Sequence, residues 1–377
     1  MSGPIAVSAE RIHPLTSLRF FAAFYVVIFH LFKSLVSTAH DSFGTKFISL
    51  GFTAVSFFFL LSGYILAFVY LRGDRRVDKR RFFASRFARI YPLYLVTLLA
   101  DTPYSLHNTI ASRGVVLGLV HTVGDLLMHL GMVHAWVPRH QTCIDVPNWS
   151  LSVEAFFYLS FPLLGAILWK LKGSRLWITA FLLYCGGQTL VWIMYPHLSL
   201  RVARFNPLFH LSTFALGICL ARWQSLRVAE RGSAASSIWV SYGVLALAAT
   251  GFLAAVQYSP FLSVADLSDG LLAPVFVCVI WALSGPSTAI SRLLSMSWLV
   301  ILGESSYGLY LIHFPVLNIF TYFNLFQYPA SSLIYVVLSI LLSVLSFYYL
   351  ETPTRKWLLN RFNPRSGKTM LAERIST

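Results

Sequence analysis

Two ionisable residues of different chemistry lie on one face of the first apolar stretch of this 377-residue chain. Arg19 and His30 are eleven residues apart in LTSLRFFAAFYVVIFHLF, a spacing that brings them within about 20° of each other around a helix and separates them by roughly 16 Å along it. Ionisable side chains inside apolar helices are costly and indicate function. The pair predicts a cation at one depth and a titratable base at another. The structural alternative is an arginine that reaches the membrane surface and a hydrogen-bonded core histidine.

A second polar set begins a later apolar stretch, VPNWSLSVEAFFYLSFP. Ser150 and Glu154 have i,i+4 spacing and Tyr158 lies one further turn along, so the three share a helix face. A carboxylate can orient an imidazole, hold it in one tautomer and stabilise its protonated form. We therefore expect Glu154 to act on His30. The alternative is a carboxylate that only stabilises the positive end of its own helix.

A third set lies in GESSYGLYLIHFPV, where Ser306 and His313 are seven residues apart and share a face. Pro315 follows His313 and frees a backbone carbonyl of the preceding turn, which often bends a helix. This pattern favours two interpretations equally. One is a polar bend that lines a cavity, and the other is a hydrogen bond between two helices.

The basic run RRVDKRRFFASRFARIYP ends with Arg86 and Arg89 at the start of an apolar stretch. Cytoplasmic arginines orient membrane helices, and guanidinium groups also bind phosphate through paired hydrogen bonds. We expect this run to serve both purposes.

Composition defines the class of protein that must position these residues. Hydrophobic residues make up 57% and charged residues 11%, with 29 Lys and Arg against 14 Asp and Glu; an ordinary soluble domain has about 45–50% and about 25%. The mean hydropathy is +0.68. These values exclude a soluble enzyme, a disordered chain and a secreted disulfide scaffold. They predict an all-α membrane protein, and we see neither a metal-ligand spacing nor a nucleic-acid-binding motif.

Stretches of about 20 apolar residues are long enough to cross a bilayer as helices. Ten are predicted, at residues 15–35, 50–71, 88–106, 149–169, 176–195, 205–222, 237–257, 268–285, 298–322 and 331–350. Placing the N-terminus and the C-terminus in the cytoplasm puts most of the Lys and Arg residues on the inner side, as membrane proteins prefer. We therefore predict one membrane domain over residues 1–357 and a basic cytoplasmic tail over 358–377.

Residues 107–147 form a predicted outer loop, and the interrupted apolar segment 114–135 is interpreted as a helix of that loop or of the interface. We expect the histidines of this loop to be solvated: they are His107, His121, His129, His134 and His140. Arg201 and Arg204 also lie on the predicted outer side, and we hypothesise that they meet an anionic acceptor.

Six motifs, in order, resemble the acyltransferase family 3 of membrane O-acyltransferases. They are Arg19-x10-His30, GFTAVSFFFLLSGYI, FFASRFARIYPLY, NWSLSVEAFFY, GESSYGLYLIHFP and YYLETPTRKW. The resemblance implies a ten-helix bundle of the bacterial inner membrane that moves acetyl from cytosolic acetyl-CoA to a sugar hydroxyl beyond that membrane. Arg19 and His30 match the family's Arg-x10-His pair, and Glu154 matches the acidic residue after its Trp-Ser-Leu motif. The resemblance is to the stand-alone type without an extra C-terminal domain.

The mechanism that follows is an expectation. Arg19, Arg86 and Arg89 bind the phosphates of acetyl-CoA, which is a co-substrate, so no bound cofactor or metal is expected. His30 acts as general base on the acceptor or briefly accepts the acetyl group, and Glu154 orients it. Four residues are expected to support this site, namely Ser150, Tyr158, Ser306 and His313.

Two other features of the function stay open at this stage. The acceptor is a glycan or a lipid-linked saccharide, and exopolysaccharide is favoured. The alternative function is a proton-coupled transporter or flippase of a lipid-linked saccharide, in which Arg19, His30 and Glu154 form a proton relay.

Overall fold

The computed structural model describes residues 13–38, 42–71, 77–231, 237–262 and 264–362, and every regular element in these ranges is helical. The α-helices are α1 His13–Thr38, α2 Phe43–Ser49, α3 Ala54–Tyr70, α4 Lys79–Arg113, α5 Val115–Leu130, α6 Trp149–Leu168, α7 Gly173–Met194, α8 Leu200–Phe205, α9 Pro207–Arg231, α10 Ile238–Tyr258, α11 Val264–Ser268, α12 Ala273–Leu283, α13 Ala289–Leu294, α14 Ser297–Glu304, α15 Ser306–Tyr322, α16 Ser331–Ser346 and α17 Thr352–Phe362. A π-helical turn, Phe347–Glu351, joins the last two. The predicted all-α class is confirmed.

Six helical segments in the described ranges are long and apolar enough to cross a membrane, or seven if α14 and α15, bent by 56°, form one span. The chain is therefore a multi-pass membrane protein. The other predicted spans are helical but do not pass that criterion. For example, α12 has only 11 residues, about 16 Å at 1.5 Å per residue, against roughly 30 Å of hydrocarbon. Ten spans and cytoplasmic termini thus stay a prediction.

Helix α4 places functional groups at two levels because it is 35 residues long. The Asp78 side chain accepts a hydrogen bond from the Arg81 N–H and so caps its first turn. Gly114, at φ +80°, ends it in a conformation that favours glycine, and α5 follows immediately. The interrupted segment 114–135 thus contains a helix of 16 residues, shorter than the candidate spans.

Small residues bring the central helices together. A Cβ atom built on Gly63 of α3 would lie 2.0 Å from the Phe214 carbonyl oxygen of α9. A Cβ on Gly217 of α9 would meet the Leu60 carbonyl oxygen at the same distance. The two backbones are therefore in direct contact, as in membrane helix pairs with small interface residues.

Helix α15 runs parallel to both α1 and α4. Thr16 lies against Gly303 of α14, the short helix that leads into α15, and His30 contacts His313 of α15 further along. On α4, Tyr307 donates a hydrogen bond to the Ile90 carbonyl at one level, and Asn318 donates to Asp101 at the other. From one contact to the next, the residue number increases in both helices of each pair. The three helices therefore share one polarity, with a basic end near Arg19 and Arg89 and a loop end near Asp101 and Asn318.

Candidate active site

A cavity with about 820 Å³ of empty space lies among α1, α3, α4, α6 and α15 at the basic end. Seven of the nine predicted site residues line it, namely Arg19, Arg86, Arg89, Ser150, Glu154, Tyr158 and Ser306. Their positions in the sequence are far apart, and the parallel arrangement of the helices brings them together. The other two predicted residues, His30 and His313, contact each other next to this cavity.

Arg86 contacts two tyrosines, Tyr70 and Tyr158, of which Tyr158 also lines the cavity. Its Nη2 donates a hydrogen bond to the Tyr70 hydroxyl at 3.1 Å, and its guanidinium lies 5.5 Å from the centre of the Tyr70 ring and 6.0 Å from that of Tyr158. Its buried Nε, like the buried Oγ of Ser306, has no hydrogen-bond partner among the described residues. Buried polar atoms are normally paired, so two cavity-lining groups are available to a polar ligand.

The positive charge of this cavity is partly balanced by carboxylates. Arg19 and Arg89 lie close enough to Glu154 and Glu304 for their charges to interact, and Glu351 acts on the same two arginines. Glu351 ends the π-helical turn, a distortion frequent at functional sites.

Glu154 has different hydrogen-bond partners from those expected. Its Oε1 accepts hydrogen bonds from the Tyr158 hydroxyl and, at 3.3 Å, from the Ser62 hydroxyl. Among the described residues His30 is not a hydrogen-bond partner of Glu154, which belongs to the arginine cavity. The two residues lie at different depths along the bundle. Glu154 is one helical turn beyond Ser150 toward the basic end, whereas His30 lies closer to the loop end.

His30 has a histidine as its partner instead. Its Nδ1 lies 3.1 Å from Nε2 of His313, and the Nδ1 of His313 lies 3.1 Å from the Leu309 carbonyl oxygen. A carbonyl can only accept, so the His313 Nδ1 carries the proton and the neutral His313 Nε2 accepts from His30. This order leaves Nε2 of His30 as the nitrogen with a free lone pair. His313 is fully buried, whereas His30 is partly exposed.

Tyr310 separates the cavity from the two histidines. Its hydroxyl lies 2.8 Å from the Ser150 hydroxyl and also donates to the Pro147 carbonyl, while its ring centre is 6.2 Å from that of His313. Tyr310 is not among the residues predicted for the site, although it lies three residues before His313 in the motif YLIH. This spacing puts Tyr310 and His313 on the same side of the helix and could have identified it.

Three loop histidines differ from the expectation that they are solvated. His140 is partly buried and paired with Asp125, and the other two are fully buried. His129 and His134 are buried, with stacked rings whose centres are 3.8 Å apart. Burial, the largest cause, lowers the pKa of both. The sequence of the loop gave no indication of this, because the stacking depends on how residues 131–148 fold back onto α5.

The sequence matches the acyltransferase domain family model over residues 13–348. It is 31% identical over 333 residues to the acyltransferase MdmB of Streptomyces mycarofaciens, covering 82% of this chain and 79% of that protein. It is 27% identical to the O-acetyltransferase OatA of Staphylococcus aureus, over 91% of this chain and 57% of OatA. The peptidoglycan O-acetyltransferase OatA of Listeria monocytogenes is 25% identical, over 93% and 56%.

The chain therefore spans a little more than half the length of the two OatA proteins. No solved structure matches it. The family match covers the arginine cavity and both histidines, and the chain belongs to the acyltransferase family 3.

Proposed function

We propose that this protein is a membrane O-acetyltransferase that moves acetyl from acetyl-CoA to a sugar hydroxyl on the other side of the bacterial inner membrane. The observation that carries the proposal is the cavity itself. It begins at three arginines and ends at Tyr310, whose ring lies beside the His30–His313 pair. The names of the relatives, two of which are O-acetyltransferases, support the reaction class.

The basic end suits a phosphorylated donor. Arg19, Arg86 and Arg89 offer three guanidinium groups, and guanidinium binds phosphate oxygens in a forked, charge-assisted geometry. The unpaired Arg86 Nε and Ser306 Oγ supply two further donors. The slim pantetheine arm of acetyl-CoA follows the cavity and brings the thioester to Tyr310 and the histidines, about half a bilayer away, or roughly 15 Å.

His30 acts as the general base. Its Nε2 takes the proton of the acceptor hydroxyl while that oxygen attacks the thioester carbon; the carbon–sulfur bond breaks and the proton then passes to the leaving thiolate. The products are the O-acetyl ester and CoA. A positioned base typically contributes about 10²–10⁴-fold to the rate.

The orientation in the membrane follows from charge. The basic end faces the cytoplasm, because arginines are retained there and acetyl-CoA is supplied there. Ten spans with both termini inside remain the topology we propose, with a glycan or a lipid-linked saccharide as the acceptor.

The test uses purified protein in lipid nanodiscs with acetyl-CoA and membranes of the source organism as the acceptor. We expect consumption of acetyl-CoA and an alkali-labile acetyl ester in wild type, and loss of both in His30→Ala. Leu163→Ala, at a lipid-exposed position of α6 that is 67% exposed, is the control and retains activity. Proton-coupled movement of a saccharide without ester formation would instead establish the transporter.

A further inference from the structure

A second cavity, with about 1010 Å³ of empty space, lies at the loop end of the same helices. It is formed by the second half of α4, by α5, by the loop before α6 and by α15. Asp101, Asp145 and Asn318 are buried at its base, whereas Arg113 and Arg139 are exposed at its rim. Arg19, Arg86 and Arg89 are not among its lining residues.

The base of the cavity presents carboxylates. Asp101 accepts hydrogen bonds from the Asn318 amide at 2.6 Å and from the Asp145 backbone N–H at 2.8 Å. Asp145 is in the left-handed conformation, with φ 46°. Its side chain lines the cavity and is 1% exposed. Asn148 and Thr97 lie close to the carboxylate, but no described residue completes a well-formed hydrogen bond to either of its oxygens.

The unpaired Asp145 carboxyl indicates what the cavity can bind. Burial raises its pKa well above the usual range, and the charge of Asp101 acts in the same direction. A buried acceptor without a partner is costly unless a ligand supplies the hydrogen bond. Ligand hydroxyl groups can do so, since a hydroxyl can both donate to and accept from a carboxyl group.

Phe314 links this cavity to the histidine pair. Its side chain lines the cavity, and its ring centre is 5.5 Å from that of His30. On α15, Tyr310 therefore faces the donor cavity, His313 contacts His30, and Phe314 faces the second cavity. The second cavity therefore extends to within one aromatic ring of His30.

An apolar groove continues sideways from the same base. It has about 820 Å³ of empty space between α4 and α15 and shares Asp101 and Asn318 with the second cavity. Both helices carry a proline in its wall, Pro103 and Pro315. Its outer part is open, with Ile319, Tyr322 and Phe323 between 52% and 63% exposed.

We propose that the second cavity and this groove together bind an amphiphilic acceptor. Its sugar head lies against Asp101 and Asp145, and its apolar tail lies along Ile319, Tyr322 and Phe323, toward the bilayer. The proposal rests on the proposed acetyl transfer, whose acceptor it identifies as a lipid-linked sugar. The groove and the second cavity share Asp101 and Asn318, so one amphiphilic molecule can occupy both.

The first experiment needs no knowledge of the sugar. Wild-type protein is incubated with [¹⁴C]acetyl-CoA and membranes of the source organism, which are then extracted with chloroform and methanol. We expect alkali-labile label in the organic, lipid-linked fraction. Label confined to the aqueous polymer would overturn the inference while leaving acetyl transfer established. The absence of any acetyl-CoA consumption would refute the proposed function itself.

The second experiment fills the groove. Ile319→Trp should lower the labelled lipid product by about tenfold or more, since a tenfold change in affinity corresponds to only about 1.4 kcal/mol. Binding of [¹⁴C]acetyl-CoA by equilibrium dialysis should not change. The matched control is Leu182→Trp on α7, where Leu182 is 61% exposed and the groove is not contacted.

The third experiment addresses the head. Asp145→Asn should reduce the lipid product while donor binding is retained, and Arg113→Ala at the exposed rim should have a smaller effect. Unchanged transfer in both Ile319→Trp and Asp145→Asn would contradict the proposal. If either variant is not monodisperse, the partition of label in wild type decides the matter.

Discussion

His30 and His313 are joined by their ring nitrogens: the Nδ1 of His30 lies 3.1 Å from the Nε2 of His313. The second nitrogen of His313 is committed to the Leu309 carbonyl oxygen. A chain of two hydrogen bonds therefore leads from the backbone of α15 to His30. It holds the His30 ring in one orientation and in the tautomer in which Nδ1 carries the proton and Nε2 has the free lone pair.

We expect His313→Phe to lower kcat by about 10²-fold, because His30 loses the acceptor that holds its tautomer; this is the lower end of the contribution of a positioned base. His313→Gln should retain more activity, since its amide oxygen can accept from the Nδ1 of His30. The KM for acetyl-CoA should change little in either variant. Steady-state kinetics with purified variants check this, and an equal loss in both would contradict the positioning role.

Arg86 provides a test of donor binding. Arg86→Ala should raise the KM for acetyl-CoA by about tenfold, while Arg86→Lys should recover only part of it because an ammonium group lacks the planar fork. The ratio of the KM values for acetyl-CoA and an acyl-pantetheine without nucleotide phosphates isolates the phosphate contribution. Arg292→Ala, at an exposed position of α13, is the control. A similar change in KM for both donors would argue against phosphate binding by Arg86.

Packing of α3 against α9 makes a prediction on stability. Gly63→Ala should lower the midpoint of thermal unfolding in detergent, because its Cβ would meet the Phe214 carbonyl oxygen at 2.0 Å and neither backbone can move freely. Overpacking of this kind costs about 1–3 kcal/mol. Gly186→Ala in α7 is the matched control, since no atom lies within 4 Å of its Cβ. Equal midpoints for both variants would show that the contact is not tight.

The stacked His129 and His134 predict acid sensitivity. Burial lowers the pKa of both below the ordinary value of 6.5, so protons bind the unfolded chain more readily than the folded one. Their contribution to stability is present above pH 6.5 and is lost as the pH falls below it. His134→Phe should reduce the fall in unfolding midpoint on acidification from neutral pH. If the unfolding midpoint falls with decreasing pH as steeply in this variant as in wild type, the two histidines are not the cause of the acid sensitivity.

Local sequence determined the helical class and the faces within single helices. A period of about 3.6 residues per turn puts Arg19 and His30 on one face of α1, and Ser150, Glu154 and Tyr158 on one face of α6. Each of these sets lies within a single helix, so its shared face can be predicted from sequence. Seven of the predicted site residues do line one cavity. The number of membrane crossings was less accessible, because α4 is long but not uniformly apolar, whereas α12 is apolar but short.

Only the tertiary structure decided which residues face each other across helices. The partner of His30 is His313 and not Glu154, and Tyr310 stands between the arginine cavity and the histidines. These contacts depend on how α15 is rotated and shifted along its axis relative to α1 and α4. The sequence period of a single helix does not determine that arrangement. Hydrogen-bond partners follow from that register, and so does the chemistry of the site.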